Sequence, residues 1–298
     1  MDSIFKNRKY IALGLAPAMI IYLVFVLYPI VRSFFYGFYD WNGLSKPVYV
    51  GLSNFAAILS DKVFWKSFWN NIYIVVVSVF GQIPLGLILA VILNRKMRGA
   101  MAFRFFFFMP MILSTVVVGL LWSTILNSQV GILNALLKAL ALGGLAQNWL
   151  GDPRFAMPVV GFIVVWQFFG LYMVILLAAL QSIPKEIHES AALDGAGELT
   201  KLTRITVPMI WGAITASVVL CIAGGMRTFD LVFTMTQGGP AHATELMAIY
   251  MYNKTFDVYK YGYGSAVSLV IFAISFAFIL SSRALMGKAS SEGKGGEA

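Results

Sequence analysis

Residues 189–208 read ESAALDGAGELTKLTRITVP, a polar stretch that lies between two long apolar ones. Residues 185–193, which overlap the start of this stretch, are of types that favour helix. Glycines follow them where the chain has to turn. Residues 198–205 favour a second short helix, which Pro208 is expected to end. The stretch therefore predicts a helix, a glycine turn and a second helix, a shape suited to docking a partner.

The composition of the whole chain is that of an integral membrane protein. Of its 298 residues, 59% are hydrophobic and 12% are charged, whereas about a quarter of the residues in soluble domains are charged. The net charge of +9 does not indicate nucleic-acid binding, because the basic residues lie beside apolar stretches, as membrane insertion requires. The lone Cys221 excludes a disulfide within the chain and a cysteine metal site.

Six stretches without Asp, Glu, Lys or Arg are long enough to cross about 30 Å of hydrocarbon as helices. Helices rather than strands are expected, because lipid offers the backbone no hydrogen-bond partner and the apolar pattern is continuous rather than alternating. The six stretches are residues 10–31, 67–94, 105–126, 155–180, 205–226 and 261–282. The predicted fold class is all-α, a polytopic membrane protein with six transmembrane helices that form one domain over residues 10–285.

The basic residues set the expected orientation of these six helices in the membrane. The larger group falls on one side, which the positive-inside rule makes cytoplasmic. This group is Lys6, Arg8, Lys9, Arg95, Lys96, Arg98, Arg104, Lys185, Lys201, Arg204, Arg283, Lys288 and Lys294. Residues 1–9 are then a cytoplasmic N-terminal segment, residues 286–298 a flexible cytoplasmic tail, and residues 131–142 a short amphipathic helix on the outer face.

The chain lacks the sequence features of a protein that supplies its own energy or performs chemistry. The central parts of the six stretches hold no ionisable residue of the kind that proton- or sodium-driven carriers use. The sequence contains no G-x-x-x-x-G-K-[ST] loop for binding ATP, and the apolar stretches contain no paired carboxylates or histidine cluster. We expect a transport subunit rather than an enzyme, with no cofactor of its own and with energy supplied by a partner.

The polar stretch also has the spacing of a family signature. It reads Glu189-Ser190-Ala191, then Gly195, then Ile205 and Val207-Pro208. This resembles the E-A-A, Gly, I-x-L-P signature of the membrane subunits of binding-protein-dependent ABC importers, with Ser and Val as the two departures.

Four further segments resemble the carbohydrate branch of that family, close to the glycerol-3-phosphate and multiple-sugar permeases and the larger membrane subunit of the maltose transporter. These segments are GLSNF at 51–55, FWKSFWNN at 64–71, QSIP at 181–184 and TQGGP at 236–240. They follow the family's order and, with the signature, cover most of the chain.

The resemblance implies a half-transporter with several partners. A second permease subunit, expected to be a different chain, would complete the path across the bilayer. Two cytoplasmic ATPase subunits would bind ATP and Mg, and an external solute-binding protein would deliver a sugar. By the same resemblance, the loop at 185–208 is the ATPase-coupling element, with Glu189, Ser190, Ala191, Asp194 and Gly195 as its candidate residues; the alternative is a solvated amphipathic loop.

The substrate path is predicted along the fourth and fifth stretches. Sugars stack on aromatic rings and meet amide, hydroxyl or charged groups, and the fourth stretch offers Trp166, Gln167 and Tyr172. Each of these side chains has packing or lipid contact as its alternative. The fifth stretch ends near Gly224, Arg227 and Asp230, and the last two are either a self-neutralising pair or part of the cavity lining.

The function expected from the sequence is import of a sugar, most simply an oligosaccharide, by alternating access in the cytoplasmic (inner) membrane of a prokaryote. Within the same architecture, the alternative cargo is glycerol phosphate or another small polar solute, which Arg227 would favour. A facilitator that works without an ATPase is the alternative from another class of protein.

Overall fold

The computed structural model describes residues 8–95 and 97–292. Predictions that concern Lys6, Lys96, Lys294 and the remaining terminal residues lie outside the described residues. The α-helices in chain order are α1 (Arg8–Tyr22), α2 (Tyr28–Tyr36), α3 (Ser53–Ser60), α4 (Lys62–Asn94), α5 (Ala100–Ile112), α6 (Thr115–Ile125), α7 (Ile132–Ala139), α8 (Pro153–Gln181), α9 (Lys185–Leu193), α10 (Glu198–Thr200), α11 (Val207–Met209), α12 (Trp211–Met226), α13 (Asp230–Thr236), α14 (Met247–Tyr252) and α15 (Tyr261–Glu292). Shorter elements are π-helical turns at Leu23–Leu27, Lys201–Thr206 and Asn253–Asp257, a 3-10 turn at Gly143–Leu145, and strands β1 (Tyr39–Asp40) and β2 (Val48–Tyr49).

The all-α fold class is confirmed, since a two-stranded hairpin is the only sheet in the described ranges. Four continuous helical segments are long and apolar enough to cross a membrane, at Ile11–Tyr36, Lys62–Asn94, Pro153–Gln181 and Tyr261–Ala284. Two bent helix pairs raise the number of spans to six if each pair crosses once. The sides of the membrane on which the termini lie stay a prediction.

The third and fifth predicted stretches are each divided into two helices by a bend. Helices α5 and α6 meet at an angle of 93°, and the α10-to-α11 segment meets α12 at 69°. At the first bend, Leu113 and Ser114 have extended ψ angles of 143° and 129°. Serine favours the N-cap of a new helix, and Pro110 removes a backbone donor from α5. Hydropathy does not report either effect, so the apolar run alone does not predict the bend.

Among the described residues, 8–61 together with 251–272 form one compact unit. In it, β1 pairs antiparallel with β2, and Asn54 ties the hairpin to its helix. The Asn54 amide Nδ2 donates to the carbonyl oxygens of Gly37 and Tyr39, each at 3.0 Å. This contact gives a structural reason for the asparagine in the GLSNF segment. The apolar side chains of Ile11–Tyr36 are exposed, as expected for a helix surrounded by lipid.

Residues 62–250 belong to the second compact unit, which holds both candidate sites. Helix α4 packs along α8, α12 packs on α4, α5 packs on α8, and α13 packs on α6. One buried cluster surrounds Ile74, Val160 and Leu231, and another surrounds Ile83 and Leu176. Lipid-embedded helices lack the hydrophobic driving force that water supplies, so this close packing holds them together.

Glycine 170 shows how tightly α5 and α8 approach each other. It is buried, and a Cβ added there would lie 2.2 Å from the backbone oxygen of Phe107 and 3.0 Å from Phe108 Cα. Glycine therefore lets the two helix backbones touch, as small residues do in membrane helix packing.

Helix α8 begins with a side-chain cap. The carboxylate of Asp152 accepts a hydrogen bond from the Arg154 backbone N–H at 2.9 Å. The Arg154 guanidinium also donates to this carboxylate, and these contacts hold the pKa of Asp152 below its usual range. Nearby, the expected short helix at 131–142 is present as α7, whose Asn134 accepts a hydrogen bond from Trp149 Nε1 at 2.8 Å.

Helix α15 continues through Glu292, so residues 286–292 of the predicted tail are helical. Residues 293–298 lie outside the described part of the chain. Whether the end of the chain is flexible and cytoplasmic stays a prediction.

Candidate functional site

The polar stretch forms the predicted helical hairpin, which we call the coupling hairpin (residues 185–210) after the role that the resemblance implies for it. Its first arm, α9, ends at Leu193 with Asp194 as its C-cap, and Gly195 follows with φ at +79°. The N–H of Gly195 donates to Ala192 O, and the N–H of Ala196 donates to Ala191 O at 2.9 Å. This pair of bonds is a Schellman motif, which needs a left-handed residue where glycine stands. The turn assigned to Gly195 is confirmed.

Pro208 was predicted to end the second arm, but the arm continues past it. The chain stays helical through Met209 and turns at Ile210 before α12. A π-helical turn at Lys201–Thr206 precedes the proline, which then occupies one of the first two positions of α11. Proline has no N–H to donate and is tolerated at the start of a helical segment. Its place after a change of helix type explains the difference.

The coupling hairpin presents an exposed surface of mixed chemistry. Glu189, Ser190 and Asp194 are exposed, whereas Ala191 is 7% exposed and faces inward. Leu193 and Leu199 are 89% and 74% exposed, one on each arm. Two exposed leucines beside carboxylates form a surface that a protein partner can cover. Neither leucine was predicted to be functional from the sequence, although both lie close to the glycine turn.

One ion pair connects the second arm to the residue after α4, and a second ion pair lies within the arm. Arg95 lies 2.9 Å from Glu198, and Lys201 lies 3.3 Å from the same carboxylate. Beside them lies a cleft of about 540 Å³, lined by Val91, Asn94, Arg95, Leu180, His188, Glu198, Leu199, Lys201, Leu202 and Thr206. Hydrophobic contacts attach the hairpin elsewhere, since Ile187 and Ile210 pack with the buried cluster around Leu176.

A separate cavity of about 330 Å³ opens among α4, α8, α12 and the start of α13. Four of the six predicted substrate-path residues line it, namely Tyr172, Gly224, Arg227 and Asp230. The other lining residues are Ser78, Gln82, Met111, Thr115, Val164, Phe168, Leu171, Leu220, Cys221, Gly225, Thr228, Phe229 and Leu231. The cavity thus joins aromatic rings to hydroxyl, amide and charged groups, the combination that suits a sugar.

Helix α4 supplies two polar lining residues that the sequence analysis did not select. Ser78 and Gln82 are both 2% exposed, and Gln82 Nε2 donates to Val164 O at 3.1 Å. The Cys221 thiol lies 3.5 Å from the other amide atom, Gln82 Oε1. A polar side chain inside an apolar span is the sequence signal that could have identified these cavity-lining residues, because positions that face lipid disfavour polar side chains.

Arg227 and Asp230 do not pair with each other in the described structure. Helix α12 ends at Met226, and the Arg227 Nε donates instead to Ala223 O at 3.2 Å. Asp230 is the first residue of α13, where the helix dipole favours a negative charge. Both side chains are exposed and line the cavity. The geometry therefore supports the cavity-lining interpretation and not the self-neutralising pair.

The structure does not bring Trp166 and Gln167 to the cavity. In a helix the cavity side of α8 is set by Val164, Phe168 and Leu171, and the two predicted residues point elsewhere. Trp166 packs edge-on against Trp122, with ring centroids 5.4 Å apart. Gln167 is 1% exposed, and both polar atoms of its amide lack a hydrogen-bond partner within the described residues.

The loop that follows α13, which we call the outer loop (residues 237–247), starts with a turn. Gln237 and Gly238 have φ angles of +51° and +88°. Three side chains of α4 hold this loop in place through its backbone. Lys66 donates to Ala241 O at 2.8 Å, and Asn70 donates to Glu245 O at 2.9 Å.

Asn71 completes the attachment of the outer loop. It is fully buried, accepts from the Met247 N–H at 2.8 Å and donates to Gly225 O at 3.2 Å. It therefore links α4 both to the end of the outer loop and to the last turn of α12. These contacts explain why the FWKSFWNN segment carries polar residues at the start of an apolar helix.

No group of three metal-ligating side chains lies together in the part of the chain that the structure describes. The fold and the two sites together define the class of protein. It is a polytopic helical membrane protein with a polar cavity and with a polar hairpin suited to a partner. The chain belongs to the family described as "Binding-protein-dependent transport system inner membrane component", which matches residues 82–288. It is accordingly the permease subunit of a binding-protein-dependent importer.

Similar proteins cover nearly the whole chain. A probable ABC transporter permease protein of Pyrococcus horikoshii is 34% identical over 92% of this chain and 94% of its own length. The multiple sugar-binding transport system permease protein MsmF of Streptococcus mutans is 32% identical over 86% of this chain and 88% of its own. In a crystal structure of a bacterial alginate ABC transporter with its periplasmic protein, one chain shares the fold, with a TM-score of 0.83, 21% identity and 97% coverage of both chains.

Proposed function

We propose that this permease subunit moves a sugar, most simply an oligosaccharide, across the cytoplasmic (inner) membrane of a prokaryote by alternating access driven by ATP. The observation that carries the proposal is the cavity in which aromatic rings, neutral polar groups and two unpaired charges face one another. The similarity to a multiple sugar-binding permease supports the same class of cargo.

The proposed complex contains four kinds of component. This chain and a second, different permease chain form the path. Two ATPase subunits bind ATP and Mg and dock on the coupling hairpin, and a solute-binding protein delivers cargo from outside. The exposed leucines and carboxylates of the hairpin support docking of a protein, since Leu193 is 89% exposed at its tip. Glu189 and Asp194 are exposed, which supports pairing with Arg or Lys of the ATPase.

Glycerol phosphate, or another small polar solute with an anionic group, is the second candidate cargo. Arg227 supports it, because the guanidinium donates only one hydrogen bond within the described chain, to Ala223 O. Arginine binds phosphate and carboxylate groups through two parallel hydrogen bonds. Asp230 in the same cavity opposes an anion and favours a neutral polyol.

The deciding experiment is uptake by the complex reconstituted in lipid vesicles from this chain and the subunits that copurify with it. Neutral oligosaccharides, monosaccharides and glycerol phosphate are compared as cargo. Each is measured with and without ATP on the side of the membrane that carries the ATPase subunits. We expect ATP-dependent uptake of an oligosaccharide. Flux through vesicles that contain only this chain, without ATP, would instead establish a facilitator, and ATP-dependent uptake of glycerol phosphate alone would establish the second cargo.

Replacing Arg227 with glutamine is expected to lower uptake about tenfold at limiting cargo concentration, since a charge-assisted hydrogen bond contributes about 1.5–3 kcal/mol. The control is Arg154→Gln, whose side chain is 79% exposed and lies outside the cavity lining. The measurement is initial uptake rate against cargo concentration. Equal rates in the two variants would show that Arg227 does not contact the cargo.

A further inference from the structure

Helix α4 touches every functional element of its compact unit. It is one helix of 33 residues, about 50 Å long at 1.5 Å per residue, and Pro84 lies inside it without ending it. Near its first turns, Lys66 and Asn70 hold the outer loop. In its middle, Ser78 and Gln82 line the cavity.

The end of α4 leads directly to the coupling hairpin. Arg95 is the first residue after the helix, and its guanidinium donates to Glu198 at the start of the second arm. Lys201, on the next turn of that arm, donates to the other carboxylate oxygen of Glu198 at 3.3 Å. Glu198 is therefore held from two sides, by α4 and by its own arm.

The cleft of about 540 Å³ makes this ion pair important for movement. Packed side chains transmit a rigid-body shift, whereas an open space does not. Because the cleft lies between the second arm and the ends of α4 and α8, the Arg95–Glu198 contact is a direct connection across it. The side chains are 66% and 73% exposed, so the pair contributes little to folding stability.

We propose that Arg95 is a positioning residue that ties the coupling hairpin to α4, so that movement of the hairpin reaches the cavity and the outer loop through one helix. The inference rests on the proposed function, because it assumes that the ATPase moves the hairpin. Arg95 contacts neither cargo nor ATPase in this scheme. It acts through Glu198.

The test is a double-mutant cycle of Arg95→Gln and Glu198→Gln in the full complex. The readout is the ratio of ATP hydrolysis with cargo-loaded binding protein to hydrolysis without it, a ratio that a merely structural role would not change. Each single variant is expected to lower the ratio about threefold, a change within the range of coupling energies for residues between two sites. The double variant is expected to be no worse than either single variant, because all three remove the same contact.

Arg98→Gln is the matched control, since Arg98 is an exposed arginine of the same loop. It should leave the ratio unchanged, and all variants should assemble with their partners as the wild type does. Three results would each overturn the inference. They are a ratio in Arg95→Gln equal to that of Arg98→Gln, multiplicative losses in the double variant, and failure of Arg95→Gln to assemble. If a backbone-disrupting variant of the hairpin turn also leaves the ratio unchanged, the proposed function fails; if only Arg95→Gln does, this inference fails alone.

Discussion

Gly195→Val is expected to reduce ATP hydrolysis stimulated by cargo-loaded binding protein at least about tenfold. The residue has φ at +79°, and a left-handed conformation costs a residue with a side chain about 1–2 kcal/mol, with a β-branched residue at the unfavourable end. A Cβ at this position would meet nothing within 4 Å, so the effect arises in the backbone alone. The Schellman bonds at Ala191 and Ala192 would be lost, and the two arms would lose their fixed geometry.

The hairpin contains its own control for this substitution. Gly197 is two residues away, has φ at −69° and ψ at 164°, and also has nothing within 4 Å of an added Cβ. Valine adopts that extended conformation without backbone strain, so Gly197→Val should retain most of the stimulation, with only the weaker N-cap of α10 as its cost. Gly195→Asn should fall between the two, because asparagine tolerates the left-handed region. Equal activity of the two valine variants would exclude a role for the turn.

The second large effect is expected at Gly170, where alanine should prevent the unit that contains α5 and α8 from folding normally. The added Cβ would lie 2.2 Å from Phe107 O, and the obstructing atoms are backbone rather than the end of a flexible side chain. One of the two helices must shift, because non-bonded atoms in contact lie about 3.5–4.0 Å apart, and the shift breaks the surrounding packing. Overpacking of a tight core costs about 1–3 kcal/mol and sometimes more, and this contact belongs at the upper end.

Thermal unfolding of the purified complex in detergent measures this effect, with copurification of the partners as a second readout. The matched variant is Gly212→Ala in α12, where an added Cβ has nothing within 4 Å and helix propensity favours alanine. We expect Gly212→Ala to unfold at the wild-type temperature or above and Gly170→Ala well below it. The same unfolding temperature for both would contradict the close approach of the two helices.

Local sequence patterns predicted those features whose causes are local. The positions of α4, α8 and α15 follow from runs of apolar residues, and the hairpin turn follows from glycine. By contrast, Pro208 was expected to end a helix, because its effect depends on the π-helical turn before it, which no local pattern announces.

The candidate sites were predicted less completely, because they depend on which side of each helix faces inward. Tyr172, Gly224, Arg227 and Asp230 were placed at the cavity, whereas Trp166 lies on another side of α8. Hydropathy along an apolar span is nearly uniform, so it carries little information about the inward side. Pairings such as Lys66 with Ala241 join residues 175 positions apart, and one sequence read alone contains no signal for them.

The 93° bend between α5 and α6 has a consequence for biogenesis. The two helices have 13 and 11 residues, so each measures about 15–20 Å at 1.5 Å per residue and neither alone matches the about 30 Å of hydrocarbon. The pair passes the length and hydropathy test for a membrane span only when the two helices are taken together. Its bent form is expected to become stable once α8 has been synthesised, because Gly170 of α8 supplies the surface on which α5 rests at Phe107.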